Sequence, residues 1–309
     1  MKKFLLSLVF SLLFWMPILG QNFTTTELVV NQHIEGTLYT PIENETSPLV
    51  IFIAGSGPTD RDGNQSFMKN DMLKKMATFL SNNGIATFRY DKRIVKQIRT
   101  KTIDKNISFD DFILDARSVI NFFKSKFETI IVAGHSQGSL VGLLALEQGG
   151  VAAFISLAGA GKPIDRILEE QISKSAPMFL EDSKRVLATL KAGETTKDYP
   201  LPLGSIFNLE LQPFMANWMQ YNPVEVIKKQ EIPTLIINGD KDLQVGIEEA
   251  KLLYEAAQNG QLLIVENMNH ILVNIEGDDL ENMKSYNIAT LEIAQEVSDR
   301  MLDFVKGLK

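Results

Sequence analysis

One short run concentrates the chemistry of this chain. Ser136 stands between Gly134 and Gly138 in "IIVAGHSQGSLVG" (130–142), where a β-branched stretch meets a helical one. A serine in a very tight strand-to-helix turn projects its hydroxyl above the sheet edge. Such a turn leaves no room for side chains two places away on either side. The helix that follows then aims its N-terminal N–H groups at the same space, which suits an oxyanion forming beside a nucleophile. Glycines also mark ordinary strand–helix turns, so the spacing alone leaves both readings open.

A serine hydroxyl needs an adjacent base to act at neutral pH. The chain has three histidines. His33 falls among the opening strands. His135 adjoins Ser136, where its side chain is expected to point elsewhere. His270, in "ENMNHIL" after the last core strand, is the candidate base. An acid must then fix its tautomer and stabilise the imidazolium. "INGDKDLQV" offers Asp240 and Asp242.

These residues need a frame. "TTELVV" and "HIEGTLYTP" read as opening strands. "PLVIFIAG" reads as a buried strand, and "IATFRYD", "TIIVAGH", "AAFISLAGA", "PTLIINGD" and "QLLIVENM" (261–268) read as further strands. Helical patterns alternate with them, including 67–84, 108–126 with Ser108 and Asp111 at capping-box spacing, and a tail from about Asn287 to Leu308. The alternation predicts an α/β fold with a mostly parallel central sheet flanked by helices. Sites in such sheets lie at the carboxyl ends of strands. The stretches Gly55–Asn64, His135–Gly138, Asn238–Val245 and Asn267–His270 all fall there.

Residues 161–229 break the alternation and read as a helical lid insertion. The core is therefore expected over 21–160 and 230–309. Phe179, Phe214 and Trp218 are candidate substrate contacts of the lid, with simple packing onto the core as the alternative.

The segments "GHSQG", "NGDKDLQV" and "MNH" resemble the three triad segments of the α/β-hydrolase superfamily, in the chain order Ser, Asp, His that this fold requires. In that pattern the acid stands three residues after the loop glycine. Counting from Gly239 selects Asp242, with Asp240 as the alternative acid or else in a local turn role. The resemblance also implies an oxyanion hole built from the N–H of Gln137 and one N–H of the loop after "VIFIAG". Ser56 is the first candidate there and Gly57 the second. Superfamily members often carry His-Gly at this point, where this chain has Ala54-Gly55-Ser56-Gly57.

A narrower likeness lies in "GSGPTDRDGN", "FRYDKR", "GHSQGSL" and "PFMANWMQYNP". These resemble a bacterial group described as esterases, acyl-thioester hydrolases or S33-type serine peptidases. It spans nearly all the chain after the first 20 residues. The group commonly has glycine after "RYDKR", where this chain has Ile94. Arg61, Asp62, Arg89 and Asp91 are candidates for a buried charge network under the oxyanion loop, with solvated loop charges as the alternative. The resemblance implies ester hydrolysis through an acyl-enzyme on Ser136, and the apolar, Met- and aromatic-rich lid favours carboxylic esters of short to medium chain. A peptidase, a thioester hydrolase and a catalytically silent binding protein on the same scaffold are the alternatives.

Composition sets outer bounds. The 309 residues carry a net charge of −7, which favours neither nucleic acid nor an anionic membrane surface as partner. The chain has no cysteine, which excludes disulfides, thiol nucleophiles and Cys-ligated metals. No cofactor or metal is expected, and the expected partner is a small-molecule ester. Oligomeric state is left open. Met1-Lys2-Lys3 followed by "FLLSLVFSLLFWMPILG" reads as a secretory signal cut near Gly20–Gln21, with an uncleaved membrane anchor as the alternative. The expected location is therefore periplasmic or extracellular.

Overall fold

The computed structural model describes residues 21–43 and 46–308. The leader expected over residues 1–20 lies outside them. β1 (Phe23–Val29) and β2 (Glu35–Pro41) form an antiparallel hairpin. β3 (Leu49–Ile53), β4 (Ala86–Tyr90), β5 (Ile130–His135), β6 (Ala153–Leu157) and β7 (Thr234–Gly239) are buried along their whole lengths. Continuous apolar runs of this kind belong in a sheet covered on both faces. β8 (Gly260–Val265) completes an eight-stranded sheet of order β1-β2-β4-β3-β5-β6-β7-β8. β2 pairs antiparallel with β4, and every pair from β4 to β8 is parallel.

The helices are α1 (Met72–Asn82), α2 (Arg93–Thr100), α3 (Phe109–Phe123), α4 (Gln137–Ala145), α5 (Ile164–Ser175), α6 (Leu180–Lys191), α7 (Gly204–Phe207), α8 (Gln212–Trp218), α9 (Pro223–Ile227), α10 (Ile247–Ala256), α11 (Asp279–Ser285) and α12 (Gln295–Lys306). α1 and α12 cover one face of the sheet through Met76, Leu80, Val297 and Met301. α3, α4 and α10 cover the other through Phe109, Ile120, Leu143 and Leu253. α3 opens on the expected capping box, with the Ser108 hydroxyl accepting the Asp111 N–H and the Asp111 carboxylate accepting the Ser108 N–H. Among the described residues no helix is long and apolar enough to cross a membrane.

The insertion after β6 has a small core of its own. Leu168 and Ile172 of α5 meet Leu187 and Leu190 of α6, with Phe207, Met215 and Met219. This cluster ends before α9. Val226 and Ile227 of α9 are buried in the main core, against which Phe214, Trp218 and Tyr221 also pack.

Three sequence expectations shift at their edges. α1 starts at Met72, not near 67, because the Asn64 side chain accepts the N–H groups of Asn70 and Asp71 and holds 64–71 as a loop. The last strand stops at Val265, because Asn267 turns at a φ of 59°. The tail is helical only over α12. Upstream of it, the Lys75 amine binds the Leu291 carbonyl and Ala294 donates to the Leu272 carbonyl at 2.8 Å, which commits 287–294 to irregular backbone.

Candidate active site

Ser136 occupies the junction of β5 and α4 with φ 53° and ψ −121°. A non-glycine residue there stores about 1–3 kcal/mol of strain. The flanking glycines explain how the turn closes. A Cβ on Gly134 would lie 2.1 Å from the Gly138 carbonyl oxygen, and one on Gly138 would lie 2.3 Å from the Ile53 carbonyl oxygen. Both contacts are with backbone, which cannot move aside. The Ser136 N–H is tied to the Leu157 carbonyl at 2.8 Å, so the neighbouring strand holds the turn.

His270 and Asp242 come together. His270 Nδ1 stands 2.7 Å from Asp242 Oδ2, with both side chains buried. The other Asp242 oxygen, Oδ1, accepts the N–H groups of Gln244 and Val245, each at 2.8 Å. A carboxylate held on both oxygens fixes the ring tautomer with Nδ1–H toward the acid and Nε2 free to act as base. Asp240 is exposed and accepts the Asn267 N–H at 2.7 Å, a local turn contact. Ser136 and His270 line a shared cavity of about 110 Å³. Contacts between such a pair often tighten only in the complex with substrate.

The turn carrying His270 is braced by residues that sequence reasoning missed. Asn269 is buried. Its Oδ1 accepts the N–H groups of Ile271 and Val273, and its Nδ2 donates to Asn282 Oδ1 at 3.0 Å and Ser285 Oγ at 2.8 Å on α11. His135 does not point away. Its ring sits 4.8 Å from the His270 ring, and its Nε2–H donates to the His270 carbonyl at 2.8 Å. Burial, then the nearby His270, pushes the His135 pKa down to about 3, so this imidazole stays neutral. Only pairing between distant strands brings the two rings together, and the sequence carries no signal for it.

The N–H groups of Ser56, Gly57 and Gln137 donate to no protein acceptor among the described residues. Ser56, Ser136 and Gln137 line a second cavity of about 440 Å³, which His270 does not line. The Ser56 carbonyl is held by Thr59 Oγ1 at 2.8 Å and Gln65 Nε2 at 3.0 Å. Below this loop Arg61 makes a two-pronged contact with Asp91, at 3.1 and 2.8 Å, and Arg89 pairs with Asp62. The four charges foreseen as a network are therefore paired, and Arg89 is fully buried. At Ile94 the chain does not turn. α2 begins one residue earlier, with Arg93 bound to Asp111 and Asp115.

The large cavity is mainly apolar. Phe112 of α3, Ile167 of α5, and Phe214 and Trp218 of α8 form much of its wall. Trp218 stacks on Phe109 with ring centroids 5.3 Å apart. Phe179 does not reach this cavity. It ends the short turn before α6 and packs on the core of the insertion. Among the described residues no group of three or more His, Asp or Glu is placed to hold a metal ion.

The BD-FAE family model matches residues 37–257, more than half of the chain. The chain belongs to the BD-FAE family. Its fold is that of the α/β hydrolases, as solved structures of low sequence similarity show. Est1E from Butyrivibrio proteoclasticus superposes with a TM-score of 0.55 at 16% identity, covering 91% of this chain and 99% of that one. The α/β hydrolase GrgF from Penicillium sp. sh18 gives 0.57 at 16% identity, over 93% and 98%. Esterase EstD of Thermotoga maritima is a sequence relative, 25% identical over 282 residues and covering 87% of this chain. This BD-FAE member spans 65% of the length of that relative. His270 lies beyond the matched residues 37–257, so its role rests on the geometry around it.

Proposed function

We propose that this protein is a serine hydrolase of carboxylic esters, with Ser136, His270 and Asp242 as its triad. The observation that carries the reading is the buried 2.7 Å contact between His270 Nδ1 and Asp242, beside a serine in a strained elbow. His270 Nε2 takes the Ser136 proton as Oγ attacks the ester carbonyl. The N–H groups of Ser56 and Gln137 receive the developing oxyanion. The alkoxide leaves with the proton from His270, and water then cleaves the acyl-enzyme through the same histidine.

The two cavities divide the substrate. The leaving oxygen must lie beside the imidazole that protonates it, so the alcohol belongs in the small cavity that His270 lines. The acyl chain then runs into the apolar cavity bounded by Phe214 and Trp218. That volume suits a short or medium acyl group joined to a small alcohol. Export of the chain, with release of its first 20 residues, is part of the same reading.

The test is hydrolysis of p-nitrophenyl esters of rising acyl length by wild type and Ser136→Ala. The expected result is a short- to medium-chain optimum in wild type and a loss in the variant of roughly 10⁵-fold or more. Undiminished turnover by a folded Ser136→Ala would contradict the reading.

A further inference from the structure

Lys92 stands at the head of α2 with only 5% of its surface exposed. Its amine has three neighbours from three different elements. Nζ donates to the Gly55 carbonyl at 2.9 Å, in the loop after β3. It donates to Oε1 of Gln137 at 2.7 Å, on the first residue of α4. It also lies 4.2 Å from the centre of the Phe112 ring on α3. Among the described residues no carboxylate forms an ion pair or hydrogen bond with it. Asp115, which lines a small cavity with Lys92, is committed to Arg93 through two bonds of 2.7 and 2.8 Å. Burying an amine without a counter-ion is costly, and the triad chemistry makes no use of this one.

Its two acceptors explain its place. The Gly55 carbonyl and the Ser56 N–H belong to one planar trans peptide, so they point in opposite directions. A donor that holds the carbonyl thereby aims the Ser56 N–H. It also polarises the amide and strengthens that N–H as a donor. The second bond holds the side chain of Gln137, whose backbone N–H is the other proposed oxyanion donor.

We propose that Lys92 is the positioning residue of the oxyanion hole, clamping the Gly55–Ser56 peptide and Gln137 at a fixed separation. This assignment rests on the serine-hydrolase reading. Burial lowers the Lys92 pKa to about 7, with the Asp115 charge opposing. A neutral amine keeps two N–H groups, enough for both acceptors, so the clamp holds on either side of that value. Donors that act on developing charge affect the transition state more than substrate binding. Loss of the clamp therefore falls on kcat rather than KM.

The experiment compares wild type, Lys92→Met, Gln137→Leu and the double variant. Each is assayed for p-nitrophenyl ester kinetics and for binding of an alkyl trifluoromethyl ketone, which adds to a serine and places an oxyanion in the hole. Lys92→Met is expected to lower kcat roughly 10- to 100-fold, less than removal of a donor outright, with KM within about twofold. Ketone affinity is expected to fall by the same factor as kcat/KM. The double variant should lose less than the product of the single losses, because both changes break one clamp. Should Lys92→Met fail to fold, Gln137→Leu carries the test, with a severalfold fall in kcat at constant KM. Lys92→Met with full kcat and full ketone affinity in an otherwise active enzyme would overturn the clamp alone. A folded wild type that neither hydrolyses esters nor binds the ketone would instead overturn the hydrolase reading beneath it.

Discussion

Asp240 and Asp242 are two residues apart, yet they meet different fates. Asp242 is buried against His270, and Asp240 is exposed on a turn. Asp242→Asn should therefore lower kcat by about 10³- to 10⁴-fold, because the wrong tautomer is stabilised. Asp240→Asn should stay within about threefold, since a side-chain amide oxygen can still accept the Asn267 N–H. Steady-state kinetics of both variants check this, and equal losses would contradict the pairing. At this scale the tight turn at Ser136 and the pairing of His270 with Asp242 could be anticipated from the sequence, since the chain has only three histidines. The contacts of Lys92 and His135 could not. Their partners lie 37, 45 and 135 positions away, and no local pattern encodes such contacts.

The end of β5 and the turn after β8 meet through His135, and acid should weaken that junction. The folded pKa of about 3 lies below the usual value of 6.5. Between those values the unfolded chain binds a proton that the folded chain refuses, so stability falls as pH drops from about 6.5 toward 3. The slope from this residue is about 1.4 kcal/mol per pH unit. Denaturant melts of wild type and His135→Gln between pH 6.5 and 4.5 isolate it. A shallower slope is expected in the variant, and an unchanged slope would contradict the burial of a neutral imidazole. The elements themselves were largely readable, because buried parallel strands leave continuous apolar runs. Their ends were less so. Asn64 delays α1, and Lys75 helps hold 287–294 out of helix, through side chains remote from the helix ends they affect. The insertion shows the same limit. Phe214 and Trp218 reach the cavity on α8, whereas Phe179 is spent on the packing of α6, a distinction that aromatic content does not make.

Across the whole molecule, the sheet order gives the site its convergence. β3 lies between β4 and β5, so the loop after β3 passes directly over the Ser136 elbow. β7 and β8 pair in parallel, so the Asp242 and His270 loops leave the sheet side by side. The alternation of elements predicted a parallel sheet, but the place of each strand in it follows only from pairing. One molecule-wide claim stands above the rest, that this BD-FAE fold is built around a nucleophilic Ser136. The most direct measurement is intact-mass and peptide mapping of the folded protein after treatment with a fluorophosphonate. The account predicts one covalent adduct per chain on Ser136, absent from Ser136→Ala. A folded wild type that forms no adduct, or an adduct that persists in Ser136→Ala, would contradict it.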